Sequence, residues 1–361
     1  MLAGLIVAFA ILSLNVLQLT RFQVAGVDFS CFWAGARAAL HDPSRLYDFQ
    51  YITNLQGWPL GPEKLRPYVY PPSALFLFVP FGLAPYWPAY GLWVVATAAL
   101  FLWAGLKAGA PWWLLLLKPV ALVIYCGQIT LLFAALVIGA LAILPRRAIW
   151  AGVLFGIAAA VKPQLALLVP IALLAEGRWR TLAAAGLTGA SLVAASMIVW
   201  GVEPWFEWVS ALQRFQPVIF NDPSLLEDAI TPYAALRTQG WNGAWAFLLA
   251  PLVVALVWRT LRASTDVADR SIAVLAGALL VSPYAMNYEA ALLAPAVAAY
   301  LARTGDRRWF AYAAVALVYA FAYEASPVGV LAVLAVLTLP FLRGVYTRRQ
   351  HGLTDAAPQT S

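Results

Sequence analysis

The chain has 361 residues, 63% of them hydrophobic and only 11% charged, with a mean hydropathy of +0.80. A soluble domain is about half apolar and about a quarter charged, so disordered, fibrous and soluble globular architectures are excluded and an all-α integral membrane protein is expected. The formal net charge of +7 comes with no basic stripe, zinc-finger spacing or RNA-binding aromatic signature, so it bears on membrane topology rather than on nucleic acid.

Residues 1–20 form an apolar run before Arg21 without a basic leader or an A-x-A cleavage site, which predicts an uncleaved first span. Residues 21–71 follow as the longest polar stretch, and a second long loop is predicted at about 201–240. Apolar runs occupy 72–106, 112–144, 148–175, 181–200, 241–258, 271–302 and 309–342, with basic residues at most of the breaks. As one helix, 148–175 would be about 42 Å long against a hydrocarbon core of about 30 Å. It is interrupted at Lys162-Pro163 and flanked by Arg146-Arg147 and by Arg178 and Arg180. Two short helices with Lys162 at the tip keep both arginine pairs cytoplasmic. Each half rises about 20 Å, so the tip stays below the far membrane surface, beside protein or water.

The same geometry recurs in 112–144, with Cys126-Gly127-Gln128-Ile129-Thr130 at the tip, in 271–302, with Ser282 to Glu289, and in 309–342, with Tyr323-Glu324-Ala325-Ser326-Pro327. Lys118 is left inside a span. Parity then makes 86–106 a full span and 72–84, fenced by Pro80 and Pro85, a half-inserted or interfacial helix. The expectation is one domain over 1–342 with about 12 (11–13) transmembrane helices in short hairpins, both termini cytoplasmic, and a disordered tail at 343–361. Cys31 and Cys126 lack a C-x-x-C context and read as free buried thiols.

This topology gathers Asp28, Lys64, Arg66, Gln128, Lys162, Asn287 and Glu289 on one non-cytoplasmic face. A charge at mid-membrane costs about 2.5–3.5 kcal/mol on insertion scales, so Lys162 needs water, a ligand or a carboxylate such as Glu289. The chain has no Walker loop, G-x-G-x-x-G, G-x-S-x-G or H-E-x-x-H. Its histidines are His41 and His351 and it has no D-x-D pair, so neither a metal nor a cofactor is expected. The outer face offers a loop carboxylate, a cation in a sunken tip and a groove that lipid can enter. That set suits a lipid-linked phosphate, with a base to deprotonate a hydroxyl and a cation to stabilise the departing phosphate.

In order along the chain, Asp28-Phe29-Ser30-Cys31-Phe32-Trp33-Ala34, Leu46-Tyr47-Asp48, Tyr70-Pro71-Pro72, Gly127-Gln128 and Lys162-Pro163 resemble glycosyltransferase family 87. The resemblance covers most of 1–180 and continues more loosely to Ser282-Pro283-Tyr284. It implies a GT-C-like bundle whose first outer loop bears interfacial helices. It also implies an enzyme that takes a hexose, mannose being the candidate, from a polyprenyl phosphate and passes it to a lipid or glycan acceptor on the periplasmic face of a bacterial inner membrane. On this resemblance Asp28 matches the family's acidic residue, the general base of an inverting displacement. Gln128 and Lys162 match its G-Q and K-P motifs, which implies contacts with donor phosphate or sugar. Thr130 departs from the Asn that the family often has two residues after the Gln, which leaves the sugar or acceptor contact there open.

Arg66 and Lys64 suit either donor phosphate or lipid headgroups. Tyr70-Pro71-Pro72 sets the direction of the following helix and puts Tyr70 at the border of the site, while Asn287, Glu289 and Thr130 are candidates for acceptor or supporting contacts. Gly152 and Gly156 form a G-x-x-x-G suited to close helix packing. Trp205, Trp208 and Trp241 suit an interface or a sugar ring. Two other readings stay open: a transporter or flippase of a lipid-linked sugar, although the halves of the chain show no internal repeat, and a non-catalytic partner in envelope polysaccharide assembly.

Overall fold

A computed structural model describes residues 24–57, 66–303, 309–322 and 327–342. The predicted span 1–20, Lys64, the tip residues 323–326 and the tail 343–361 lie outside these residues.

The first described stretch folds into α1 (Phe29–His41) and α2 (Phe49–Gln56). After them come α3 (Leu75–Gly82), α4 (Tyr86–Lys107), α5 (Lys118–Cys126), α6 (Thr130–Ile143), α7 (Ala148–Val161), α8 (Leu168–Ala175) and α9 (Trp179–Trp200). The stretch 201–240 holds α10 (Glu203–Asn221), α11 (Pro223–Glu227) and α12 (Pro232–Thr238). The chain continues through α13 (Ala250–Ala263), α14 (Val267–Val281), α15 (Ala294–Leu301), α16 (Trp309–Ala322) and α17 (Val328–Leu337). Among the described residues the β pairing is confined to an isolated bridge between Ala229 and Met286.

Three described segments are long and apolar enough to cross a membrane: α4, α9, and Gly243–Ala263, in which a 3-10 turn runs into α13. Helix α4 shows why lipid is their solvent. Ala89, Trp93, Thr97, Phe101 and Ala104, spaced three or four residues apart, face the protein. Leu92, Val95, Leu100, Trp103 and Leu106 are exposed on the remaining surface and are equally apolar. Helix α9 goes further, with Leu187 at 71% and Ile198 at 85% exposure. Patches of this kind are untenable in water and natural against hydrocarbon. At the centre, α6 and α14 are buried almost along their whole length.

The breaks place the polar groups. Helix α7 stops at Val161 and Pro163 opens a 3-10 turn, Pro163–Leu165, before α8. Gly152 lies against Thr181 and Ala184, and Gly156 against Ala185 and Thr188. Residue numbers rise together along this contact, so α7 and α9 run parallel, and Arg147 and Arg178 sit at the same end. The missing Cβ atoms let the backbones meet, which matters in lipid because burial of apolar area between helices supplies little driving force there. In this register α9 continues about 12 Å beyond Lys162, so Lys162 is recessed below the end of the longer helix.

Two expectations change. The stretch 201–240 is helical rather than an open loop: Pro204 sits in the first turn of α10, whose Pro204, Trp208, Ala211, Phe215 and Ile219 recur at helical spacing toward the protein. Lys118 begins α5 rather than lying within a helix, because Leu117 is extended and Pro119 starts a helix without losing a hydrogen bond. As a half-inserted or interfacial helix requires, the segment Pro72–Gly82 packs Gly82 against Ala36 of α1 and rises only about 16 Å, too short to cross.

Candidate active site

A turn over residues 25–28 carries Asp28 into α1 and is pinned to the end of α5, where Gly26 N donates to Tyr125 O at 2.8 Å and Asp28 N to Cys126 O at 2.9 Å. Asp28 occupies the N-cap position of α1, where an aspartate ordinarily accepts from the first backbone amides, yet its side chain makes no capping bond. It faces a cavity instead. Burial pushes its carboxyl above the usual aspartate range; the charges of Arg66 and then Lys162 pull it back, and Glu289 pushes it up. Arg66, Lys162 and Glu289 are thus each within electrostatic reach of Asp28.

Aromatic packing holds α1 rigidly beneath this carboxylate. Phe29 meets Tyr86, Tyr90 and Trp93 with ring centroids at 5.7–5.9 Å, and Phe32 stacks on Phe78 at 4.5 Å. Pairs of this kind contribute about 0.5–1.5 kcal/mol each beyond their buried area.

Arg66 is placed by a relay from α1. Ser30 Oγ donates to Gln56 Oε1 at 3.0 Å, and Gln56 Nε2 donates to the Arg66 carbonyl at 2.6 Å. The Arg66 Nε is buried and has no hydrogen-bond partner among the described residues, although the side chain lines the cavity. A buried guanidinium donor left unpaired is costly, and an anion in the cavity is what would satisfy it.

The Gly127-Gln128 pair has a geometric cause. Gly127 closes α5 in the left-handed region at φ 70°, and a Cβ there would lie 2.6 Å from that of Phe29. Gln128 then turns into the cavity wall, its Oε1 accepting from Tyr70 OH at 3.0 Å and from Ile129 N at 2.8 Å. Tyr70 is itself fixed through its carbonyl, which accepts from Tyr47 OH at 2.7 Å.

Lys162 caps the broken end of α7, and its ammonium donates to Glu289 Oε1, with both side chains buried. The second Glu289 oxygen accepts from Thr130 Oγ1 at 3.1 Å. Lys162 is therefore neutralised in place rather than snorkelling to an interface.

Asp28, Arg66, Tyr70, Gln128, Lys162 and Glu289 all line one cavity of about 530 Å³, within the usual range for small-molecule sites. Thr130 stands behind the wall and supports Glu289. Asn287, in contrast, turns away: its backbone N donates to Asp228 O at 2.7 Å and its side chain to Asp228 Oδ1 at 3.4 Å, tying the 201–240 stretch to the 282–289 stretch.

Sequence reasoning missed the opposite wall. Helix α10 contributes Trp208, Leu212, Gln213, Phe215, Gln216 and Ile219, and Tyr284 and Tyr288 close the side near Glu289. Trp208 Nε1 donates to Val69 O at 3.1 Å, which fastens α10 over the irregular stretch 66–71. Trp205 instead donates to Ser196 Oγ at 3.1 Å, and Trp241 is exposed, so of the three tryptophans singled out from the sequence Trp208 alone reaches the cavity. Cys31 also borders it; burial, then Asp28, push its thiol pKa up, so it stays protonated, and both cysteines are free.

No curated protein and no solved structure matches the chain. The model of glycosyltransferase family 87 matches residues 68–283, a range that includes Tyr70, Gln128, Lys162 and the whole of α10, with Asp28, Arg66 and Glu289 outside it. With a match over more than half of its length and the helices of a membrane protein, this chain belongs to glycosyltransferase family 87.

Proposed function

We propose that the chain is an inverting hexosyltransferase, with mannose the candidate sugar, that takes its sugar from a polyprenyl phosphate and passes it to a lipid or glycan hydroxyl on the periplasmic face. The observation that carries this reading is the meeting, in one cavity, of an uncapped carboxylate, Asp28, with two cations, Arg66 and Lys162. In this reading the Asp28 carboxylate takes the proton of the acceptor hydroxyl as its oxygen bonds to the anomeric carbon. The bond from that carbon to the phosphate oxygen breaks on the opposite face, and its electron pair leaves with the polyprenyl phosphate. Arg66, through its unpaired Nε, and Lys162 stabilise the negative charge that builds on the phosphate.

Gln128 and Tyr70 orient the sugar. The Gln128 oxygen is already occupied, so its amide nitrogen is the donor offered to a sugar hydroxyl. Glu289 and Thr130 hold Lys162 when no donor is bound. The apolar wall of α10 suits the first isoprene units, and the recessed level of Lys162 suits a phosphate at headgroup depth. A GT-C-like bundle of about 12 spans with both termini cytoplasmic belongs to the same reading.

Purified protein given polyprenyl-phosphate hexoses and a hydroxyl acceptor should form a glycosylated product of inverted anomeric configuration, read by mass spectrometry and NMR. Movement of intact donor across proteoliposomes without sugar transfer would instead assign the fold to transport.

A further inference from the structure

A second cavity of about 530 Å³ lies where the α8–α9 turn, the end of α13 and the first turn of α14 meet, lined by Glu176, Arg178, Arg262, Ser264, Thr265 and Arg270 among others. Helix α14 separates it from the cavity described above: Arg270 lies at one end of that helix and Ser282 just past the other, about 18 Å along the axis.

The charges here do not balance. Arg270 is 4% exposed and donates through Nη2 to Glu176, whose other oxygen accepts from Arg178 Nε at 3.3 Å. One carboxylate therefore serves two arginines, and Arg262 adds a third cation to the lining. The neighbouring acids, Asp266 and Asp269, do not line the cavity. Asp269 accepts from Ser264 Oγ at 2.6 Å and from Tyr300 OH, and Asp266 accepts from Arg303 Nη2 at 3.0 Å. The Arg270 Nε is left buried with no partner among the described residues.

Three guanidinium groups around a cavity edged by the Thr265 hydroxyl, one of them with an unsatisfied buried donor, present the donors that a phosphate group accepts from. Leu174 on the rim is exposed, as is Trp179 just past Arg178, so an apolar tail attached to that phosphate has a surface to lie on. We propose that this cavity binds a phosphate-bearing anion, either the headgroup of an anionic phospholipid or a soluble phosphoryl compound.

The test uses the full chain in nanodiscs of phosphatidylcholine with or without phosphatidylglycerol, and separately with inorganic phosphate. It compares wild type with Arg178→Gln/Arg262→Gln, whose positions are exposed enough to keep the fold, and with Arg270→Gln. Retention of phosphatidylglycerol about tenfold greater in wild type than in the double variant, undisturbed by inorganic phosphate, assigns the lipid source. Thermal stabilisation by inorganic phosphate in wild type but not in the variants, without preference for phosphatidylglycerol, assigns the soluble source. Equal behaviour of wild type and the folded double variant toward both probes overturns the proposal, because any anion bound is then held elsewhere, including by Arg66 and Lys162.

Discussion

Lys162 and Glu289, 127 residues apart in sequence, form a buried ion pair whose acid is also held by Thr130. Removing one member of such a pair strands the other, at a cost of about 3–5 kcal/mol, whereas replacing both with apolar groups is often neutral. Glu289→Gln should therefore lower the melting temperature markedly, and a polyprenyl-phosphate donor should restore more stability to this variant than to wild type by supplying the lost negative charge. Lys162→Met/Glu289→Leu should melt near wild type yet lose donor binding. Equal donor-induced shifts in wild type and Glu289→Gln would contradict the assignment of Lys162 to phosphate.

Because burial raises the Asp28 carboxyl above its ordinary range, and a general base works only when ionised, transfer should rise with pH through an acid limb displaced above that of a free aspartate. Arg66 lowers the same group, so Arg66→Gln should move the limb to still higher pH in addition to weakening donor binding. A pH series of single-turnover rates checks this; a limb that stays put in Arg66→Gln would separate the two residues.

Gly127→Ala should destabilise the protein by about 1–2 kcal/mol from left-handed backbone strain alone. The new methyl also presses on the Phe29 Cβ, next to Asp28, so the turnover rate should fall more than donor affinity. Thermal melting and the split between kcat and KM report the two effects; a variant with full stability and full turnover would show that the close approach is unimportant.

Trp208 bridges α10 to Val69, and Trp208→Phe should lose about 1 kcal/mol for the missing hydrogen bond while keeping most of the ring contact. Trp208→Ala should in addition raise KM for the donor, because α10 is no longer held over the cavity. An unchanged KM in Trp208→Ala would remove α10 from the binding wall.

The legible parts of this architecture were those in which one residue type has one physical use. Lys162-Pro163 announced a helix break because proline cannot continue the α7 hydrogen bonds and a lysine in an apolar run needs a partner, and Glu289 stood out as a candidate for that partner. Gly152 and Gly156 likewise marked a contact, although only coordinates reveal α9 as the other side. Helix α10 was obscured because Pro217 and the acidic residues around it mimic a loop, while the three- and four-residue spacing from Pro204 to Ile219 was the signal that could have exposed it. The placement of Asn287 was not legible because proximity in sequence to Glu289 says nothing about side-chain direction in a 3-10 turn, and its amide donates to Asp228.

The most direct test is sugar transfer by Asp28→Asn, measured beside its affinity for the polyprenyl-phosphate donor. An isosteric amide cannot take the acceptor's proton, so turnover should fall by about 10²–10⁴-fold with donor binding and melting temperature unchanged. Transfer within about twofold of wild type by a folded Asp28→Asn protein would contradict Asp28 as the general base.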